Sequence, residues 1–253
     1  MRSNIRVWTW IAAALFCSGC ASRELPVATA ASAHKIGVIS GFGNDISFSR
    51  SGITVFGNAA SIGAIPEWKV DELIVNRVRA DLSAGHEVAA FVANPKGDRQ
   101  WIKRNFASVP EVVPPSNEHA DLWLVVSGKC ASAGDYSGPV PCGVAVSRPE
   151  TMFGSPTAWI VLQGQIEVFD GATLKRIAES DILLDGQCGP FANGDLFDLA
   201  RHGCEPGIDL GHSFAVDSWQ DYTESQREFI HQQFLQFLEP SMDFTLRRLK
   251  LVK

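Results

Sequence analysis

Apolar positions along this chain follow two different periods. Lys35–Ser40 (KIGVIS), Glu87–Val92 (EVAAFV) and Leu122–Ser127 (LWLVVS) are short runs rich in Val, Ile, Leu and Phe. Each is too short for a buried helix and reads as a sheet strand. Trp68–Ala84 instead carries Val70, Leu73, Ile74, Val78 and Leu82 at helical spacing. Asp71 and Glu72 occupy its first turn and Gly85 follows it, so it reads as a helix with both ends marked. Asp98–Ala107 predicts a second, shorter helix with Trp101, Ile102 and Phe106 inward, before a connector bearing Pro110, Pro114 and Pro115.

Two hairpins complete the pattern. Ile46–Phe48 and Ile53–Phe56 alternate around Ser49-Arg50-Ser51-Gly52, and Gly57–Pro66 follows as a small-residue loop. Thr157–Asp170 and Thr173–Leu184 form a longer pair turning at Asp170-Gly171. Trp219–Leu238 then gives a helix with Tyr222, Phe229, Ile230, Phe234, Phe237 and Leu238 on one side. Pro240 restarts the chain as a final helix with Met242, Leu246 and Leu249. The resulting fold class is α/β (α+β): a single mixed β-sheet with helices packed on it, a late long hairpin and two C-terminal helices. No linker breaks residues 35–253, which form one expected domain.

Composition narrows the function classes. With 45% apolar and 20% charged residues the 253-residue chain is globular, and its net charge of −6 has no basic run to attract nucleic acid. The N-terminus is an address. Arg2 and Arg6 precede an apolar stretch from Val7 to Phe16, followed by Cys17-Ser18-Gly19-Cys20. This is the layout of a bacterial secretory signal, and the segment resembles a lipobox, which implies a lipoprotein signal over residues 1–19 with Cys20 expected to be acylated as the new N-terminus. Cys17 stands where a Leu is usual, so an ordinary secretory signal cleaved after Ala21 is the alternative. Residues 20–34 read as a flexible tether. Ala21 follows the Cys, which favours the outer membrane, facing the periplasm, over inner-membrane retention. The alternative is a soluble periplasmic protein.

Four cysteines remain after Cys17 and Cys20: Cys130, Cys142, Cys188 and Cys204. In an exported domain they are expected to pair. Local closure favours Cys130–Cys142 and Cys188–Cys204, each closing a Gly/Pro-rich loop and contributing about 3 kcal/mol in a chain-entropy account. The two loops are expected at one end of the sheet, presenting a contact surface. A metal site from His202, Cys204, Asp209 and His212 lacks CxxC or HxxxH spacing, so no metal is expected.

The opening KIGVISGFGN, the following GITVFGN and the hairpin WIVLQGQIEVFDGATLKRIAES, together with the CSGC segment, resemble uncharacterised proteobacterial envelope lipoproteins. In topology the chain resembles the α/β domains of the curli-secretion lipoprotein and the N-terminal domain of TolB, over roughly residues 35–184. This resemblance implies a periplasmic, non-catalytic assembly module and assigns no functional residue.

Chemical motifs are sparse. Gly41-Phe42-Gly43-Asn44 follows a strand but completes neither a dinucleotide nor a P-loop motif, so no cofactor is expected. Asp195, Asp198 and Asp209 crowd the second cysteine loop without a calcium-loop pattern. The sharpest catalytic alternative is an SGNH-like serine hydrolase. Asp209 and His212 form its DxxH pair, and Ser40 lies where the nucleophile would follow the first strand, without the motif's acidic residue. The favoured reading is a lipid-anchored binding or assembly module with an envelope protein as partner. Trp159, Trp219 and Tyr222 are the aromatic residues to place as core or contact surface.

Overall fold

The computed structural model describes residues 27–52, 57–92, 118–130, 141–149, 156–184 and 207–252. A mixed nine-stranded sheet organises them, with three helices. The strands are β1 (Lys35–Ser40), β2 (Asp45–Ser51), β3 (Ala59–Ala64), β4 (Glu87–Val92), β5 (Leu122–Gly128), β6 (Gly143–Pro149), β7 (Ala158–Asp170), β8 (Arg176–Asp181) and β9 (Gly207–Gly211).

The register reveals a simpler plan. β7 is a single 13-residue strand. Its C-terminal half pairs with β5 and β8, and its N-terminal half with β6 and β9. β5 and β6 run in the same direction and meet end to end: Lys129 N donates to Gln163 O at 3.0 Å, and Gly143 N donates to Lys129 O at 2.9 Å. β1 lies parallel to β5 and β2 parallel to β6, so Gly41–Asn44 interrupts one long strand. β8 and β9 likewise succeed one another along β7. Edge strand β4 pairs parallel with β1, and β3 antiparallel with β2. The sheet is thus a set of long strands broken at one level, beside Gln163 and Gly164 of the unbroken β7.

The helices cover one face. They are α1 (Val27–Ser32), α2 (Val70–Leu82) and α3 (Glu224–Arg248). Even-numbered positions of β1, β2, β5 and β6, such as Ile36, Val38, Ile46, Phe48, Leu124 and Val146, face them and are fully or almost fully buried. The period-two alternation places Ile39, Trp123 and Val125 on the other face, with Phe91 and Phe169 against them. Trp123 lies flat over Gly37, where a Cβ would come within 2.2 Å of the indole. Any larger residue there would displace the ring.

Several expectations are met in position. β1 and β4 span the expected residues, β5 extends one residue further, and the late hairpin is β7–β8, turning after Asp170. Others differ. The antiparallel partner of β2 is β3, in the stretch read as a loop. The expected partner, residues 53–56, lies outside the described residues. Ala59–Ala64 (AASIGA) is too small and weakly alternating to announce a strand. It becomes one by pairing along the edge of β2, and Trp219 packs onto it at Gly63, where a Cβ would sit 1.7 Å from the indole Cδ1. β6 and β9 were also not expected. Residues 27–32 of the segment read as a tether form α1, and Ala30 and Ala33 pack into the core.

The two C-terminal helices are one. α3 runs through Pro240, and Thr223 and Gln226 close its N-terminus with a capping box. The proline is on the exposed side, while Phe234, Phe237, Met242 and Leu246 stay on one buried stripe across it. A proline inside a helix costs about 3 kcal/mol. Burial of four large apolar side chains, at about 1.5–3 kcal/mol each, outweighs it. The shorter helix expected at residues 98–107 lies outside the described residues.

Candidate functional site

Ser40, the candidate nucleophile, is the last residue of β1 and is fully buried. Its hydroxyl donates to Asp71 Oδ1 at 2.7 Å. The same carboxyl group accepts Phe42 N at 2.8 Å and Gly43 N at 2.9 Å. Asp71 lies in the first turn of α2 and is itself 4% exposed. It therefore ties the helix to the interruption between β1 and β2 and satisfies two backbone donors that leave the ladder there. In the sequence Asp71 is an ordinary acidic residue of a helix first turn, and nothing local marks its tertiary partners.

His212 and Asp209 are exposed and lie elsewhere. The His212 ring bonds through Nδ1 to Pro156 O at 2.8 Å, and Asp209 Oδ1 accepts Gly211 N at 2.7 Å. Ser40 is level with Val126 and hence with Ile166 of β7, whereas Gly211 is opposite Ala158. His212 follows the end of β9, three strand spacings from β1, or about 14 Å across the sheet. The structure does not bring the three residues together.

The Cys130–Cys142 disulfide is present, between residues bridged antiparallel at the junction of β5 and β6. It closes at mid-sheet, not at one end, because β6 resumes the line of β5 across the excursion. Cys188, Cys204, Asp195, Asp198, His202 and Cys20 lie outside the described residues. Among the described residues no His, Cys, Asp and Glu cluster is placed to hold a metal ion. No described helix is long and apolar enough to cross a membrane.

Among the described residues, a surface groove lies where α3 begins. The groove, of about 730 Å³, is lined by Glu67, Trp68, Glu224, Ser225, Arg227 and Glu228. Its floor is an aromatic stack: Trp68 lies parallel to the His231 ring at 4.6 Å and meets Trp219 edge-on at 6.1 Å. Arg227 sits over Trp219 at 5.4 Å and donates to the carbonyls of Trp219 and Gln220. These bonds fix the cation, and three carboxylates, Glu67, Glu224 and Glu228, share the groove lining with it. On the neighbouring turn Phe229 is 44% exposed and stacks on Phe214 at 5.1 Å. Of the aromatics singled out in the sequence, Trp219 and Tyr222 are core and Trp159 is half-buried. Burial pushes the Tyr222 phenol well above its ordinary range, and its hydroxyl donates to Phe214 O at 2.7 Å.

No family model matches the chain, and no curated protein matches it. Among solved structures it is similar to a Xanthomonas campestris protein of family DUF330, at 7% identity and a TM-score of 0.34, covering 86% of each chain. It is also similar to a neuraminyllactose-binding hemagglutinin homolog from Helicobacter pylori, at 9% identity and a TM-score of 0.34, over 91% of this chain and 87% of that one. A hypothetical protein from Chlamydia trachomatis aligns at 8% identity and a TM-score of 0.26, over 86% of this chain and 96% of that one. These likenesses assign no residue a role.

Proposed function

We propose that the chain is a lipid-anchored envelope protein, held in the outer membrane by acylated Cys20 and facing the periplasm, that acts as a non-catalytic binding or assembly module. One observation carries the non-catalytic part: the Ser40 hydroxyl is spent on Asp71 inside the core, and the candidate base His212 lies at another place on the sheet. Nucleophilic catalysis needs the two within hydrogen-bond reach and open to substrate. The surface around α3's first turns suits recognition of a protein: an exposed phenylalanine beside a rigid acidic groove takes a partner segment with an apolar side chain and basic neighbours.

Two measurements test this reading. Fatty-acid labelling should mark the wild type and not Cys20→Ala; equal labelling, or none in either, removes the anchor. A partner cross-linked to the wild type in native envelopes should be lost with Phe229→Asp and with Glu228→Lys. Esterase activity abolished by Ser40→Ala or His212→Ala would overturn the module in favour of the hydrolase.

A further inference from the structure

The two ends of the sheet differ in how the chain enters and leaves them. His34 N and Lys35 N both donate to Asp121 Oδ2, at 2.7 and 2.9 Å. Asp121 N in turn donates to Lys35 O, and Gly171 N donates to Asp121 O. The start of β1, the start of β5 and the β7–β8 turn therefore share one end. His86 joins them through Nδ1 to Ala33 O at 2.8 Å, and Leu251 and Val252 line a cavity with His86 and Gly85. At the opposite end lie Gly211, the beginning of β7 and the first turns of α3, where Gln226 Nε2 donates to Ser213 O just after β9.

We infer that the end carrying the β7–β8 turn lies against the phospholipid surface to which the chain is anchored; this rests on the acylation of Cys20 proposed above. Only Ala21–Pro26 separate Cys20 from α1, a reach of at most about 25 Å. α1 adds about 9 Å before Ala33, which is buried in the core at this end. β7 alone is about 44 Å long. The domain cannot stand on its far end, because the lipid would then fall about 10 Å short of the bilayer. The choice between standing on the near end and lying flat turns on Leu174. It is one of three large apolar side chains exposed among the described residues, with Val92 and Phe229, and it projects from the near end. Its φ of 52° is a left-handed conformation disfavoured for leucine. The turn holds it there: Asp170 Oδ1 accepts both the Thr173 amide and hydroxyl, and Leu174 N donates to Asp170 O. An apolar side chain on a rigid tip, next to Lys175, fits the boundary between acyl chains and headgroups.

The test uses the full acylated chain in vesicles of phosphatidylethanolamine and phosphatidylglycerol with brominated acyl chains. A fluorescent amino acid replaces Leu174 in one protein and Phe229 in another. Quenching should be several-fold at 174 and absent at 229. Equal quenching at both positions, quenching at neither, or stronger quenching at 229 overturns the orientation. Flotation of the same samples beside Cys20→Ala is read separately. A wild type that does not float overturns the anchor itself, whereas a floating protein unquenched at 174 overturns only the orientation.

Discussion

Ser40 donates its hydroxyl hydrogen to Asp71 Oδ1 at 2.7 Å, joining the end of the first strand to the first turn of α2 beneath the protein surface. The carboxyl group also holds Phe42 N and Gly43 N, so one side chain terminates β1, shapes the interruption and positions a helix. The serine that could serve a hydrolase is thereby part of the scaffold. Asp71→Ala leaves three donors without their acceptor, two buried and one partly buried, and is expected to lower unfolding free energy by about 3 kcal/mol, against about 1–2 kcal/mol for Ser40→Ala. Urea unfolding of both variants checks the order; a larger loss for Ser40→Ala would reject the assignment of Asp71 as the hub.

Gly63 and Trp219 form a close approach that holds β3 to the segment before α3. Gly63→Ala cannot be accommodated without moving the indole, and overpacking of this kind costs about 1–3 kcal/mol. The near-ultraviolet circular dichroism of the variant should change, because Trp219 also contacts Trp68 and Tyr222. An unchanged spectrum and stability would show that β3 is not fixed by this contact.

The Cys130–Cys142 bridge spans a sequence separation of 12. The double variant Cys130→Ala, Cys142→Ala is expected to lose about 3 kcal/mol, chiefly through the freed unfolded chain. Differential scanning calorimetry under oxidising conditions measures the loss, and a reducing agent should shrink the difference between the two proteins. Peptide mapping without reduction should find this pair and Cys188–Cys204; a crossed pairing rejects the connectivity.

The hydrogen bonds from Lys35 N and His34 N hold the Asp121 carboxyl below the usual carboxylate range. A depressed folded-state value means stability that is complete above the unfolded-chain value, about 3.9, and lost as pH falls through the folded value. Asp121→Asn should therefore flatten the acid side of the stability curve below about pH 4 and leave its shape at neutral pH unchanged. Thermal melts of both proteins from pH 2 to 7 make the comparison; parallel curves throughout would sink the linkage.

Pro240 withholds one backbone donor from the middle of α3. The position is exposed, so Pro240→Ala is expected to raise stability, by up to about 3 kcal/mol, without touching the buried stripe. A destabilised variant would mean that the proline itself is required for packing of α3 on β7 and β8.

The order of strands and helices was legible where a local period met a buried face. Lys35–Ser40, Glu87–Val92, Leu122–Gly128, Val70–Leu82 and the β7–β8 hairpin announce themselves because burial of one or both faces fixes the spacing of apolar residues. The local disulfide at Cys130–Cys142 was legible in the sequence as well, since it depends on residues close in the chain. Tertiary structure decided the rest. Ala59–Ala64 is a strand only because Arg50, Phe48 and Ile46 offer it an edge, and α3 is one helix only because the sheet holds both sides of Pro240 in one stripe. The separation of Ser40 from His212, and the meeting of Ser40 with Asp71, follow from strand order and helix docking. Contacts between residues 31 positions apart leave no period in the sequence, so only the folded chain could reveal them.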